Sequence, residues 1–277
     1  MKRIEQCLKK CGDPELGEIL RVAACGALAA GAVLRELYDK PHQVTHKGSI
    51  DLVTEADVAA EKKVLAILDG YSAQIAVLAE ESQSVYAGAP TGPVWIIDPL
   101  DGTTNFAHGF PSFAVSIAYA VGAESRVGVI YAPMSDELFC AVQGAGAWLN
   151  GKQIKVSAVG ELKGSLLATG FPYAIEQEVD GVVAILKRFL TRSQGIRRAG
   201  AAAMDLAYLA CGRLDGFWEI NLKPWDTAAG ILLVTEAGGR LTDFAGGPYS
   251  PYKSELLASN GKLHEEMVDG LREFSRV

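Results

Sequence analysis

The spacing of apolar positions changes along this chain, and each change marks an element. Over residues 14–37 the Ala- and Leu-rich pattern predicts one helix. A polar stretch at 40–49 follows, and then the strand-like Asp51-Leu52-Val53. Thr54-Glu55-Ala56-Asp57 has the form of a capping box, with Thr54 closing the first turn and Asp57 reaching back. Val64, Leu65 and Leu68 continue as a helical stripe that Gly70 is expected to end. Short apolar runs at 75–78 and 94–97 suit buried strands, with an aperiodic Gly/Pro/Ser loop at 82–93 between them. Runs at 113–121, 127–131 and 138–142, parted by turn residues, predict an antiparallel section.

Beyond the Gly-containing stretch 144–151 the pattern turns to alternation. A strand is predicted at 166–169, helices at 179–190 and 201–210 (the latter closed by Gly212), and a strand at 214–220. A helix at 227–237 and short strands at 240–244 and 256–258 complete the chain. There is no repeat or flexible linker. The expected fold class is α/β, with an α+β part over 1–148 tightly joined to an α/β part over 149–277.

Composition narrows the function. The 277 residues are 49% hydrophobic, enough for a large core. A formal charge of -7 argues against a nucleic-acid partner, which needs a concentrated cationic surface. The uncharged run 22–34 is shorter than the roughly 20 apolar residues a bilayer requires. It follows a charged leader without a convincing cleavage context, so it reads as core, and no membrane association is expected. Five cysteines with no CxxC pair, and few histidines, argue against a zinc or disulfide framework and fit a reducing cytoplasm.

The chemistry concentrates at Trp95-Ile96-Ile97-Asp98-Pro99-Leu100-Asp101-Gly102-Thr103-Thr104. An apolar strand delivers Asp98, Pro99 breaks the ladder, and Asp101 stands where it would cap a helix opened by Gly102 and Thr103. Free N–H groups at such a helix start attract an anion. Each piece alone is an ordinary turn or cap, whereas the ordered set is specific. Further acids stand at Asp51, at Glu80 after the strand 75–78, and at Asp226 where a helix begins. Two unit charges about 4 Å apart cost roughly 4 kcal/mol at an effective dielectric near 20. Carboxylates gathered around a phosphate dianion therefore require cations between them. Oxygen-only donors select a hard ion, and magnesium is the usual partner of phosphate.

With these residues in view, the chain resembles the inositol monophosphatase family of lithium-sensitive, magnesium-dependent phosphatases. WIIDPLDGTTNF (95–106) resembles the family's first signature and WDTAAG (225–230), continuing to Gly239, its second. DLVTEAD (51–57), Glu80-Glu81-Ser82 and 198–206 match family positions in the same order. The resemblance implies a layered αβαβα sandwich of the sugar-phosphatase type. It implies a first magnesium ion on Glu80, Asp98 and the Leu100 carbonyl, a second on Asp98, Asp101 and Asp226, and a weaker third on Glu80 and waters. Thr103 with Asp51 would orient and deprotonate the attacking water, with Glu80 completing the catalytic set. Gly102 and Thr103 N–H groups would receive the phosphate, beside Asp101 and Asp226. Glu219 would bind substrate hydroxyls, and Ala202 would contact the sugar ring.

The implied reaction is hydrolysis of a small phosphate monoester, inositol monophosphate first, by a homodimer. Fructose 1,6-bisphosphate, histidinol phosphate, NADP and 3′-phosphonucleotides remain as alternative substrates, because the metal motifs are common to all. A non-catalytic metal- or ligand-binding regulator is the alternative of another class.

Overall fold

In the computed structural model, which describes residues 2–40, 44–46, 52–82 and 84–275, the Ala-rich run is a single 24-residue helix, α2 (Pro14–Leu37), behind a short α1 (Glu5–Lys10). Asp13 starts α2 by accepting the Glu15 N–H at 2.8 Å, and Pro14 occupies the first turn, where a missing N–H costs nothing. The small residues permit close approach. A Cβ on Gly31 would stand 2.4 Å from the Tyr131 ring. Among the described residues α2 is the one helix long and apolar enough to cross a membrane, but half of its apolar window is buried inside the protein.

Strands β1 (Val44–His46) and β2 (Leu52–Thr54) pair antiparallel and lead into α3 (Glu55–Ser72). The capping box forms as its sequence predicts: Thr54 N–H donates to Asp57 Oδ2 at 2.8 Å, and Ala56 N–H donates to Thr54 Oγ1 at 3.1 Å. Gly70 does not end the helix, which runs on to Ser72 with Gly70 on its exposed side.

A seven-stranded sheet follows in chain order: β3 (Ala76–Ala79), β4 (Pro93–Asp101), β5 (Ala114–Val121), β6 (Glu124–Ala132), β7 (Glu137–Val142), β8 (Gly146–Leu149) and β9 (Lys152–Ile154). Only β3 and β4 run parallel; the other neighbours are antiparallel. A one-turn helix, α4 (Thr103–Ala107), interrupts the passage from β4 to β5. The later chain gives β10 (Leu166–Thr169), α5 (Ile175–Leu190), β11 (Gly195–Arg197), α6 (Ala202–Ala210), β12 (Gly216–Ile220), α7 (Pro224–Glu236), β13 (Arg240–Thr242), β14 (Glu255–Ser259) and α8 (His264–Leu271). Its strands form a mixed five-stranded sheet in the order β11-β10-β12-β14-β13.

The layers alternate as expected. Helices α2 and α3 cover one face of the larger sheet, burying Leu20, Ala27 and Val64 against Trp95, Ile117 and Val129. Helices α6 and α7 fill the space between the sheets, where Leu206, Leu209 and Leu233 meet Ile96, Ile130 and Phe217. Outside the smaller sheet α5 and α8 pack Phe189 and Met267 on Trp218 and Leu257. The middle layer is therefore shared between both sheets, and it presents the starts of α6 and α7 to the end of β4.

Candidate active site

β4 is buried from Val94 to its end, and it carries Asp98 and Asp101 into the protein. Pairing with β5 shifts register between these two residues, so that the strand irregularity at Pro99 and Leu100 sets both carboxylates at the sheet's end. Asp98 is 2% exposed and accepts the Leu100 N–H at 2.9 Å. Burial, then the charges of Glu80, Asp101 and Asp226, hold its carboxyl well above the ordinary aspartate range. Burial likewise pushes Asp101 up to about 7, opposed by the Ala203 N–H and aided by Glu80. The acids singled out from the sequence thus act on one another, although they come from three separate segments.

One local expectation changes. Asp101 does not cap α4; Gly102 occupies that position with φ +96°. A Cβ there would stand 2.9 Å from the Ser112 carbonyl oxygen, so both the backbone and the space require glycine. The left-handed step turns Asp101 away from α4 and towards α6, where Asp101 Oδ2 accepts the Ala203 N–H at 2.8 Å. Asp101 therefore caps α6, a helix of the shared middle layer. Asn105 ties the same junction, donating to the Ser112 carbonyl at 2.6 Å and the Ala199 carbonyl at 2.8 Å.

Glu80 sits just past β3, its N–H donating to the Ile97 carbonyl. The turn is held by a residue that sequence reasoning did not single out. Glu61 of α3, 3% exposed, accepts the Glu81 N–H at 2.9 Å. Asp226 is the third residue of α7 and accepts the Lys223 N–H at 2.7 Å. Ser116 of β5 donates to the Trp225 carbonyl, fixing that helix start to the larger sheet. Glu219 is the penultimate residue of β12, beside Gly170, where a Cβ would fall 2.0 Å from its carboxylate. Ala202 is the buried first residue of α6.

Asp51, expected beside Thr103, lies outside the described residues. Among the described residues the carboxylate in contact with Thr103 is Asp57: Thr103 Oγ1 donates to Asp57 Oδ1 at 2.8 Å and stands 3.1 Å from the Leu100 carbonyl oxygen. Asp57 divides its oxygens, Oδ2 serving the cap of α3 and Oδ1 serving Thr103. The capping-box spacing explains the first task completely and so conceals the second.

The donor set suits a hard cation. Every acid named offers oxygen, Asp98 and Asp101 are desolvated beside like charges, and no lysine or arginine forms an ion pair with either among the described residues. Among the described residues no three acidic, histidine or cysteine side chains close tightly enough to hold an ion alone. The Leu100 carbonyl and waters would have to complete any coordination sphere.

Known proteins match this chain over most of its length. Residues 15–275 match the profile of the Inositol monophosphatase family. The chain is 44% identical over 254 residues to the inositol-1-monophosphatase of Synechocystis sp., covering 91% of this chain and 88% of that one. It is 41% identical over 257 residues to the Nus factor SuhB of Escherichia coli (strain K12), covering 92% and 96%. The solved structure of inositol monophosphatase from Anabaena (Nostoc) sp. superposes with a TM-score of 0.85 at 42% identity, over 94% of this chain and 97% of that one. The chain belongs to the inositol monophosphatase family, a family of metal-dependent phosphatases acting on small substrates.

Proposed function

We propose that this chain hydrolyses small phosphate monoesters in the presence of magnesium, with myo-inositol monophosphate as its substrate. The observation that carries the reading is the buried Asp98, surrounded by Glu80, Asp101 and Asp226 and followed five residues later by a Thr103 hydroxyl bonded to Asp57. Glu80, Asp98 and the Leu100 carbonyl would hold one ion, Asp98, Asp101 and Asp226 a second, and Glu80 with waters a third. Magnesium bound there supplies positive charge for the phosphate oxygens and the departing alkoxide, and makes water easier to deprotonate.

The chain's own groups do the rest. Gly102 and Thr103 N–H groups receive the phosphate, aided by the turn that Gly102 makes possible. A water hydrogen-bonded to Thr103 Oγ1 passes its proton to that oxygen while the hydroxyl proton moves to Asp57. Asp57 takes in this proposal the part that the sequence resemblance gave to Asp51. The water oxygen bonds to phosphorus and the ester P–O bond breaks on the opposite side. The alkoxide takes a proton from solvent water, and Asp57 returns its proton to the hydroxide so formed. No serine or cysteine nucleophile is needed, and rate comes from positioning and charge. Glu219 takes substrate hydroxyls, and Ala202 borders the ring.

The test is phosphate release at matched concentrations of inositol 1-phosphate, fructose 1,6-bisphosphate, histidinol phosphate, NADP and a 3′-phosphonucleotide, with magnesium and lithium titrations. Preference for the inositol ester, with lithium inhibition, is expected; full activity in excess chelator would sink the reading. A homodimer is expected from light scattering, and the five free cysteines favour the cytoplasm.

A second reading has a specific support. Relatives at 41% identity are named Nus factor SuhB, a name that denotes a role other than ester hydrolysis. On this reading the metal site would serve a regulatory partner interaction, and the purified chain would bind phosphate esters without turnover.

A further inference from the structure

The substrate end of the site holds a carboxyl that neither the metal set nor the fold employs. Asp205 lies one turn into α6, in the run Ala202-Ala203-Met204-Asp205-Leu206-Ala207, otherwise apolar. It is 2% exposed, yet nothing among the described residues donates a hydrogen bond to its side chain or pairs with it. Buried carboxyls normally have such partners. Nor is it walled off, since the fully sealed, partnerless polar side-chain atoms are those of Trp95, Thr227, Tyr249 and Tyr252. Asp205 keeps an opening, and the groups around that opening are informative.

Asp205 lies within electrostatic reach of Asp101 on one side and of Glu219 and Arg198 on the other. Glu219 also lacks a hydrogen-bond donor among the described residues. Arg198 is stacked on the Phe171 ring at 4.9 Å, and Gly200 is bare beneath its guanidinium, where a Cβ would approach Nη1 to 2.5 Å. Arg198 reaches neither carboxylate closely enough for an ion pair. Two carboxyls and a forked donor thus stand within electrostatic reach of one another with their hydrogen-bonding capacity unused among the described residues.

We infer that Asp205 is a specificity-determining residue which, with Glu219 and Arg198, takes the hydroxyl-bearing, uncharged end of a polyol monophosphate. Burial and neighbouring acids hold both carboxyls well above the ordinary range. Each can then accept or donate, and a ligand there is best served by groups that do both, as vicinal hydroxyls do. Arg198 can return a bond to a hydroxyl oxygen. A second phosphate at that end would bury a dianion near Asp101 and two further acids, with Arg198 set against them, so bisphosphates are disfavoured. The inference rests on the phosphatase reading above and adds which end group the site selects.

The test uses the full chain with magnesium and three substrates: inositol 1-phosphate, fructose 1,6-bisphosphate, and p-nitrophenyl phosphate, which has no hydroxyl on its far side. In Asp205→Leu, kcat/KM for inositol 1-phosphate should fall about tenfold or more relative to that for p-nitrophenyl phosphate. Its preference over the bisphosphate should narrow, and the loss should appear mainly in KM. Asp205→Asn keeps an acceptor and should lose less. Replacing a partnerless buried carboxyl by an apolar side chain should also raise the melting temperature. Equal loss on all three esters, or a lower melting temperature in Asp205→Leu, would overturn the inference and make Asp205 a structural residue. Absence of magnesium-dependent release from every ester in the unmodified chain would remove the parent reading and this one together.

Discussion

Acidification should weaken this fold through one histidine. His264 begins α8 and is fully buried, its Nε2 3.0 Å from Thr242 Oγ1 and its Nδ1 2.8 Å from Ser259 Oγ. Burial, followed by the charge of Arg240, lowers its pKa from 6.5 to about 4, against a small opposing pull from Glu265. The unfolded chain therefore binds a proton between pH 6.5 and 4 that the folded chain refuses, and stability falls as pH drops through that window. The contribution is fully present above pH 6.5. It should decline by about 2 kcal/mol between pH 8 and pH 5, and by about 3 kcal/mol once pH is below 4. Other groups titrate over the same range, so the difference from His264→Gln isolates the effect. Urea unfolding at pH 8 and pH 5 should show the unmodified chain losing about 2 kcal/mol more than the variant. Equal losses in both, or an imidazole resonance of His264 that titrates near 6.5, would refute the reasoning.

Three other outcomes follow from the site. Asp57→Asn should lower kcat by about 10²- to 10⁴-fold while inositol 1-phosphate still binds, and retention of kcat would remove Asp57 from water activation. Gly102→Ala should cost about 1–3 kcal/mol in urea unfolding, because the left-handed backbone and the Ser112 carbonyl both oppose a Cβ; an unchanged midpoint would contradict the close approach. Magnesium at about 100 times its dissociation constant should stabilise the chain by about 2.7 kcal/mol in thermal unfolding. Asp98→Asn should abolish that gain together with activity, and turnover retained in this variant would refute the metal assignment.

Much of this architecture is legible from local pattern. The helix Pro14–Leu37 is continuous because nothing in its run breaks helical spacing, and the Thr54–Asp57 box forms from residues three apart. Strands β8 and β9 are not legible: they are short, and the first begins at Gly146 within a glycine-containing stretch that reads as turn. The site divides in the same way. Asp98, Asp101, Glu80 and Asp226 stand out because acids follow apolar strands or open helices. What they bond to depends on contacts between layers. Asp101 looks like a local cap, but its partner Ala203 is 102 residues away. Asp57 is hidden by a local role that already accounts for it, and Glu61 by an ordinary place on a charged helix face. Asp205 had a signal, a lone acid inside an Ala/Leu run that is buried nearly all round.

The bond from Ala203 N–H to Asp101 makes α6 a ruler. One end of the helix is pinned to Asp101, a carboxylate of the proposed metal set, and Asp205 stands two residues beyond Ala203, about 3 Å along the axis at 1.5 Å per residue. On the proposed reading, the span from phosphorus to the hydroxyl-bearing end would be set by helical rise rather than by a loop. Esters whose first hydroxyl lies one carbon nearer or farther would be out of register. Chain length between phosphate and hydroxyl, as much as charge, would then be a quantity this site measures.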